Sequence, residues 1–229
     1  MSDRKRPKRG SDPLLTRRLR QALAAPGCPL CRLVRAGEER WLATLLYELS
    51  GDPLTHHKLA RAEGLCGEHA RILALLVERC TLLTPAAVAR LYESVVGTML
   101  EKPVRLTNQV GSCPACRYRQ GLLGHQAEIL ARFLAGEEGR VAYLGSDGLC
   151  LPHLRLVLKS ATSEVARWLE ADFRVRLSEL RHRLGELQRK QRYDVAEPLS
   201  AEEAGAWQEA LWRLGGNWFG QLVTPPGEI

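Results

Sequence analysis

One four-residue ligand pattern occurs twice in this chain. Cys28-Pro29-Leu30-Cys31 is followed by Leu65-Cys66-Gly67-Glu68-His69, and Cys113-Pro114-Ala115-Cys116 is followed by Leu149-Cys150-Leu151-Pro152-His153. The two CPxC pairs are offset by 85 residues and the two CxxH pairs by 84. Three cysteines and a histidine in the same order twice mark a duplicated module. Three sulfurs and one imidazole form a complete donor set for a tetrahedral metal site, with zinc the leading candidate. The expectation is two zinc ions per chain, with Cys28, Cys31, Cys66, His69, Cys113, Cys116, Cys150 and His153 as ligands. Sequence order favours pairing within each copy, since each copy is self-sufficient. The alternative pairs ligands across the copies, so that Cys28 and Cys31 meet Cys150 and His153.

The spacing has a physical logic. A CxxC turn lets two sulfurs reach one ion from a single tight loop, and proline after the first cysteine presets the turn. Cys66 and His69 are three residues apart, so they share a face of a helix's first turn, as do Cys150 and His153. Ligands at helix N-termini meet a dipole that favours thiolate over thiol. Three thiolates, a neutral imidazole and a zinc ion sum to −1, which the same helix ends stabilise. The spacers are long, with 34 residues between Cys31 and Cys66 and 33 between Cys116 and Cys150. An ion would therefore clamp the base of a helical hairpin, where a cross-link strongly constrains the unfolded chain.

Other readings compete for the same residues. A CxxC alone suits a thioredoxin-like redox pair, but no βαβ pattern surrounds either copy. An iron–sulfur cluster with Cys3His ligation is chemically possible. Cys80 has no counterpart in the second copy and reads as a core thiol. His56, His57, His125 and His182 lack partners at metal spacing, and His56 and His57 read as helix surface. The tryptophans, Trp41, Trp168, Trp207, Trp212 and Trp218, read as core or docking anchors.

The net charge of +7 is concentrated at one end. Residues 1–20 carry eight basic and two acidic side chains, leaving +1 for the rest. The chain reads as a near-neutral body with a basic tail, either a solvated segment or an anchor for nucleic acid. No secretory signal or membrane span is evident: the most apolar stretch, residues 72–83, is interrupted by Glu78 and Arg79. A cytoplasmic location is the default expectation, and in a reducing compartment paired cysteines read as metal ligands.

Apolar residues recur at helical spacing throughout, and no stretch alternates as a strand would. The expected fold class is all-α: two tandem zinc-clamped helical modules and a long coiled-coil-like C-terminal helix. Helices are predicted over residues 14–23, 32–49 and 54–62, from near Cys66, and after the Thr84-Pro85 cap. In the second copy they are predicted over 117–135, from about Cys150, over 163–192 and over 201–214. A Gly-rich turn region is expected between the first two of these. Leu169, Phe173, Leu177, Leu180, Leu184 and Leu187 form a seam with heptad-like spacing. The layout is a basic, partly disordered tail over 1–25, modules over 26–110 and 111–195, and a C-terminal helix and tail over 196–229.

No Gly-rich phosphate loop, GxGxxG, GxSxG or HExxH motif is present. Four protein ligands also leave no open position for the water of a catalytic zinc. With these motifs, the chain resembles a family of uncharacterised bacterial proteins of similar length, a domain of unknown function. Its pattern is a CPxC turn and an LCxxH helix start, repeated in a second half, and the match spans roughly Gly27 to His153. The resemblance implies the same ligand set and two-module layout and supplies no activity. The leading functional expectation is a zinc-stabilised interaction or regulatory protein with a protein partner. Alternatives are a nucleic-acid-associated protein using residues 1–20 and a CxxC redox protein.

Overall fold

The computed structural model describes residues 13–101 and 113–216. Residues 1–12 of the basic tail, Trp218 and the Pro225-Pro226-Gly227 end lie outside these residues, as do the expectations attached to them. The described residues form ten helices and no strand: α1 Pro13–Leu23, α2 Pro29–Tyr47, α3 Pro53–Arg61, α4 Gly67–Arg79, α5 Pro85–Leu100, α6 Pro114–Phe133, α7 Glu137–Leu144, α8 Leu151–Ser160, α9 Ser163–Lys190 and α10 Ala201–Gly215. The all-α expectation holds. None of these helices is long and apolar enough to cross a membrane.

The helix starts follow local chemistry. Asp52 caps α3 by accepting from the Thr55 N–H at 2.8 Å. Thr84 accepts from the Ala87 N–H ahead of Pro85, and Ser200 and Glu203 form a reciprocal capping box on α10. The region expected to be a Gly-rich turn contains a helix, α7. Gly136 and Gly139 mask its pattern, but Glu137 and Glu138 lie in its first turn, where the helix dipole favours them. Tyr143 is fully buried near its end.

The described residues divide into two compact units whose boundaries fall inside α2 and α6. One comprises the residues up to Leu33 and those from Ala127 onward; the other runs from Val34 to Gln126. Each has its own apolar core. The first draws on Leu19, Leu30, Leu130, Leu154, Val157 and Leu169, and the second on Leu42, Leu46, Leu59, Ile72, Leu73 and Leu91. Neither unit coincides with one sequence repeat.

The long seam of α9 is used within its own unit. Helix α10 packs along α9 and also meets α8. Leu169, Phe173 and Leu180 are buried, while Leu177 and Trp212 pack against the core. Glu209 of α10 pairs with Arg183 of α9 at 2.7 Å, and Lys190 pairs with Glu203 at 2.8 Å. Part of the heptad-like stripe of α9 is therefore covered within the chain, by α10. The exposed apolar positions of α10 are Trp207, Leu211 and Leu214.

Candidate metal centres

The eight predicted ligands gather into two groups of four. Cys28, Cys31, Cys150 and His153 form one, and Cys66, His69, Cys113 and Cys116 the other; within each, the ligand atoms all lie within 4.8 Å of one another. The favoured pairing within each copy is therefore corrected, and the crossed alternative is the one observed. Each group takes its CxxC from one repeat and its CxxH from the other, yet lies wholly inside one unit.

The crossing follows the unit boundaries inside α2 and α6. Helix α2 has 19 residues; it begins beside the first CxxC, in one unit, and its residues from Val34 onward, Leu42 and Leu46 among them, belong to the other. Helix α3, of 9 residues, packs on α5 within that second unit. Cys66 and His69 therefore stay in the unit that α2 has entered. The second copy repeats this with 20-residue α6 and 8-residue α7, which bring Cys150 and His153 to the unit holding Cys28 and Cys31.

Each group lies at two helix N-termini. Cys28 immediately precedes α2 and Cys150 is the N-cap of α8; Cys113 immediately precedes α6 and Cys66 is the N-cap of α4. The glycine before each Leu-Cys step has a left-handed backbone, φ +92° at Gly64 and +77° at Gly148, a conformation that glycine adopts without strain. The next amide is held by a tyrosine hydroxyl: Leu65 N–H donates to Tyr92 and Leu149 N–H to Tyr143, both at 3.3 Å. The tyrosines come from α5 and α7, at unrelated positions in the two repeats, so the repeat gave no signal for them.

The distances suit a tetrahedral ion. A tetrahedron with metal–sulfur bonds near 2.3 Å and metal–nitrogen bonds near 2.0–2.1 Å has S···S edges of about 3.8 Å and S···N edges of about 3.6 Å. In the first group, His153 Nδ1 lies 3.4, 3.3 and 3.2 Å from the sulfurs of Cys28, Cys31 and Cys150, and Cys31 and Cys150 are 3.8 Å apart. In the second, His69 Nδ1 lies 3.1, 3.8 and 3.5 Å from Cys66, Cys113 and Cys116, and Cys66 and Cys116 are 3.6 Å apart. Both imidazoles thus turn Nδ1 to the three sulfurs, and the sulfurs are thiols rather than disulfides.

Within each group the thiols and the imidazole shift one another's ionisation. At Cys28 burial opposes ionisation, but hydrogen bonds with Cys150, Cys31 and His153 outweigh it and hold the thiol well below its ordinary range. Hydrogen bonds with Cys28 and Cys31, together with burial, push the Cys150 thiol far up. Burial works against the His153 imidazolium, yet Cys28 and Cys31 raise it to about 10. In the second group burial again opposes the charge on Cys113, which His69 and nearby backbone amides draw down to about 6. Burial and the neighbouring Cys66 and Cys113 push Cys116 up to about 12. His69, despite burial, rises to about 10 through Cys113, Glu38 and Cys66. Each group therefore holds an acidic thiol, a protonated imidazole and a thiol that resists ionisation, a crowding that a divalent cation would relieve.

The surroundings differ between the groups. Around the first, Gly27 N–H donates to Asp147 at 2.6 Å, tying the first CxxC loop to the approach to Cys150. Arg176 donates to Asp172 and to the Ser146 carbonyl, with its guanidinium 5.6 Å from the centre of the Tyr143 ring. Around the second, His69 Nε2 lies 3.0 Å from the buried carboxylate of Glu38. Arg119 reaches Glu38 at 3.5 Å and Glu68 at 2.9 Å. These supporting residues escaped the sequence reading: Glu38 sits in the run Glu38-Glu39-Arg40, which resembles a solvated helix face.

The remaining candidates have other roles. Cys80 ends α4 and packs against the second core. His57, His125 and His182 are exposed. His56 is a correction to the surface expectation, because its ring bridges Ser94 Oγ at 2.7 Å and the Ser50 carbonyl at 2.9 Å. Trp41 stacks on Tyr118, and Trp168 packs at a tilt against Tyr143. Comparison with protein-family models, curated proteins and solved structures finds no match.

Proposed function

We propose that this chain is a zinc protein with two structural Cys3His sites, and that it serves as a helical interaction or regulatory module rather than as an enzyme. The observation that carries the metal reading is the convergence of both ligand sets, from positions up to 125 residues apart, on tetrahedral edge lengths. Zinc is favoured because three thiolates and one imidazole suit a borderline-soft ion with no geometric preference of its own. Four protein ligands close each site, which supports a structural role. A thioredoxin-like redox pair would need a strand beside it, and the described residues include none. The interaction role is supported by the outward apolar face of α10, where Trp207 is 49 % exposed.

Elemental analysis of protein purified without added metal tests the metal reading. The expected result is two zinc ions per chain. A ratio near zero, or iron with visible absorbance, would defeat it.

A further inference from the structure

The two ligand groups match in chemistry but not in what holds the histidine. In the second group the His69 ring is fully buried, with Nδ1 facing three sulfurs and Nε2 3.0 Å from a Glu38 carboxylate that is itself only 4 % exposed. Arg119 lies against the same carboxylate and forks onto Glu68, within the CxxH segment. A chain of charged groups thus leads from the imidazole to the surface. In the first group no hydrogen bond to Nε2 of His153 is found among the described residues. The repeat offset shows why: the position matching Glu38 is Leu123, and Gly67-Glu68 is matched by Leu151-Pro152.

We propose that Glu38 is a positioning residue: it accepts the Nε2 proton of His69, fixes the tautomer that leaves Nδ1 free to ligate, and makes this site the slower of the two to release its metal. The proposal rests on the metal reading above. A carboxylate behind a ligating imidazole both orients the ring and raises its basicity, and removing such a partner typically costs about 10–100-fold in metal affinity. Arg119 compensates the buried charge and restrains the carboxylate.

The test is metal release from the full-length zinc-loaded protein into excess chelator, followed with a metallochromic dye. Two kinetic phases of one ion each are expected, with the slow one lost in Cys66→Ser and the fast one lost in Cys150→Ser. Glu38→Ala should accelerate the slow phase about 10–100-fold and leave the fast phase unchanged. Glu38→Gln, which keeps an acceptor but not the charge, should fall between. Cobalt-loaded Glu38→Gln should also show a shifted ligand-field band with an unchanged far-ultraviolet dichroism spectrum, a change that loss of packing alone would not give. A single phase of two ions in the native protein, or a slow phase indifferent to both Glu38 variants, overturns the proposal while leaving the metal reading intact. A native protein that retains no metal after loading overturns the metal reading itself.

Discussion

The two ligand groups of this chain use the same donors at the same spacing and are supported in different ways. The group in the unit built on α8 and α9 is braced by packing and loop clasps: Tyr143 is buried against it, Asp147 ties the CxxC loop, and Arg176 pins the segment before Cys150. The group in the unit built on α4 and α5 is backed by charge, through Glu38, Arg119 and Glu68. The two repeats share the cysteines and histidines of these groups and differ in the residues around them. Ligand geometry is thus the constrained quantity, and more than one kind of surrounding satisfies it.

Removing a ligand should break this comparison most sharply. Structural zinc contributes roughly 10–16 kcal/mol in small zinc-dependent peptides. Each unit here also has its own apolar core, so the loss should be smaller. His69→Ala and His153→Ala should each remove one ion and lower the melting temperature by at least about 10 °C, corresponding to a few kcal/mol. Differential scanning calorimetry with metal analysis checks this; unchanged melting after complete metal removal would show that the sites do not stabilise the fold.

Acid should release both ions. Without metal at pH 7, His69 and Cys116 carry protons in one group and His153 and Cys150 in the other, whereas a bound ion needs these ligands deprotonated. Binding therefore displaces protons, so affinity rises with pH and falls as pH drops. Each displaced proton changes affinity about tenfold per pH unit. In the second group Cys113, drawn down to about 6, adds to the loss once the pH falls below that value. Zinc titrations at several pH values, with proton release recorded in weak buffer, test the sign directly.

A smaller effect separates the two approaches to the CxxH helices. Alanine at Gly64 or Gly148 would strain a left-handed backbone at a cost of about 1–2 kcal/mol. At Gly64 the new Cβ would lie 3.2 Å from the Tyr92 ring, and at Gly148 it would lie 3.1 Å from Arg176 Nε. Arg176 is already bound to Asp172 and Ser146 and cannot easily retreat. Gly148→Ala should therefore be the costlier change in denaturant unfolding, and equal costs would argue against the clasp.

The eight cysteines and histidines that gather into the two groups stood out in the sequence because their spacing is short, fixed and repeated. The helix starts were legible because Thr84-Pro85 and the Leu-Cys steps are local signals. The pairing of the ligands was not, since both pairings use identical local spacings. The pairing goes with α2 and α6 each passing from one unit into the other, which no local motif announces. Helix α7 was hidden by glycines that ordinarily break helices. The seam of α9 was read correctly as an apolar stripe, but a stripe does not say whether its partner is α10 or another chain. Glu38 was hidden because a carboxylate in a charged run looks solvated until its helix is packed against His69.

The crossed pairing is tested most directly by metal content in paired cysteine variants. Cys28→Ser with Cys150→Ser removes two ligands from one group, and the account predicts that one zinc ion per chain remains. Cys28→Ser with Cys66→Ser removes one ligand from each group, and the account predicts that no tightly bound ion remains. If the second variant instead keeps one ion while the first keeps none, the ligands pair within each repeat and the crossed architecture is wrong.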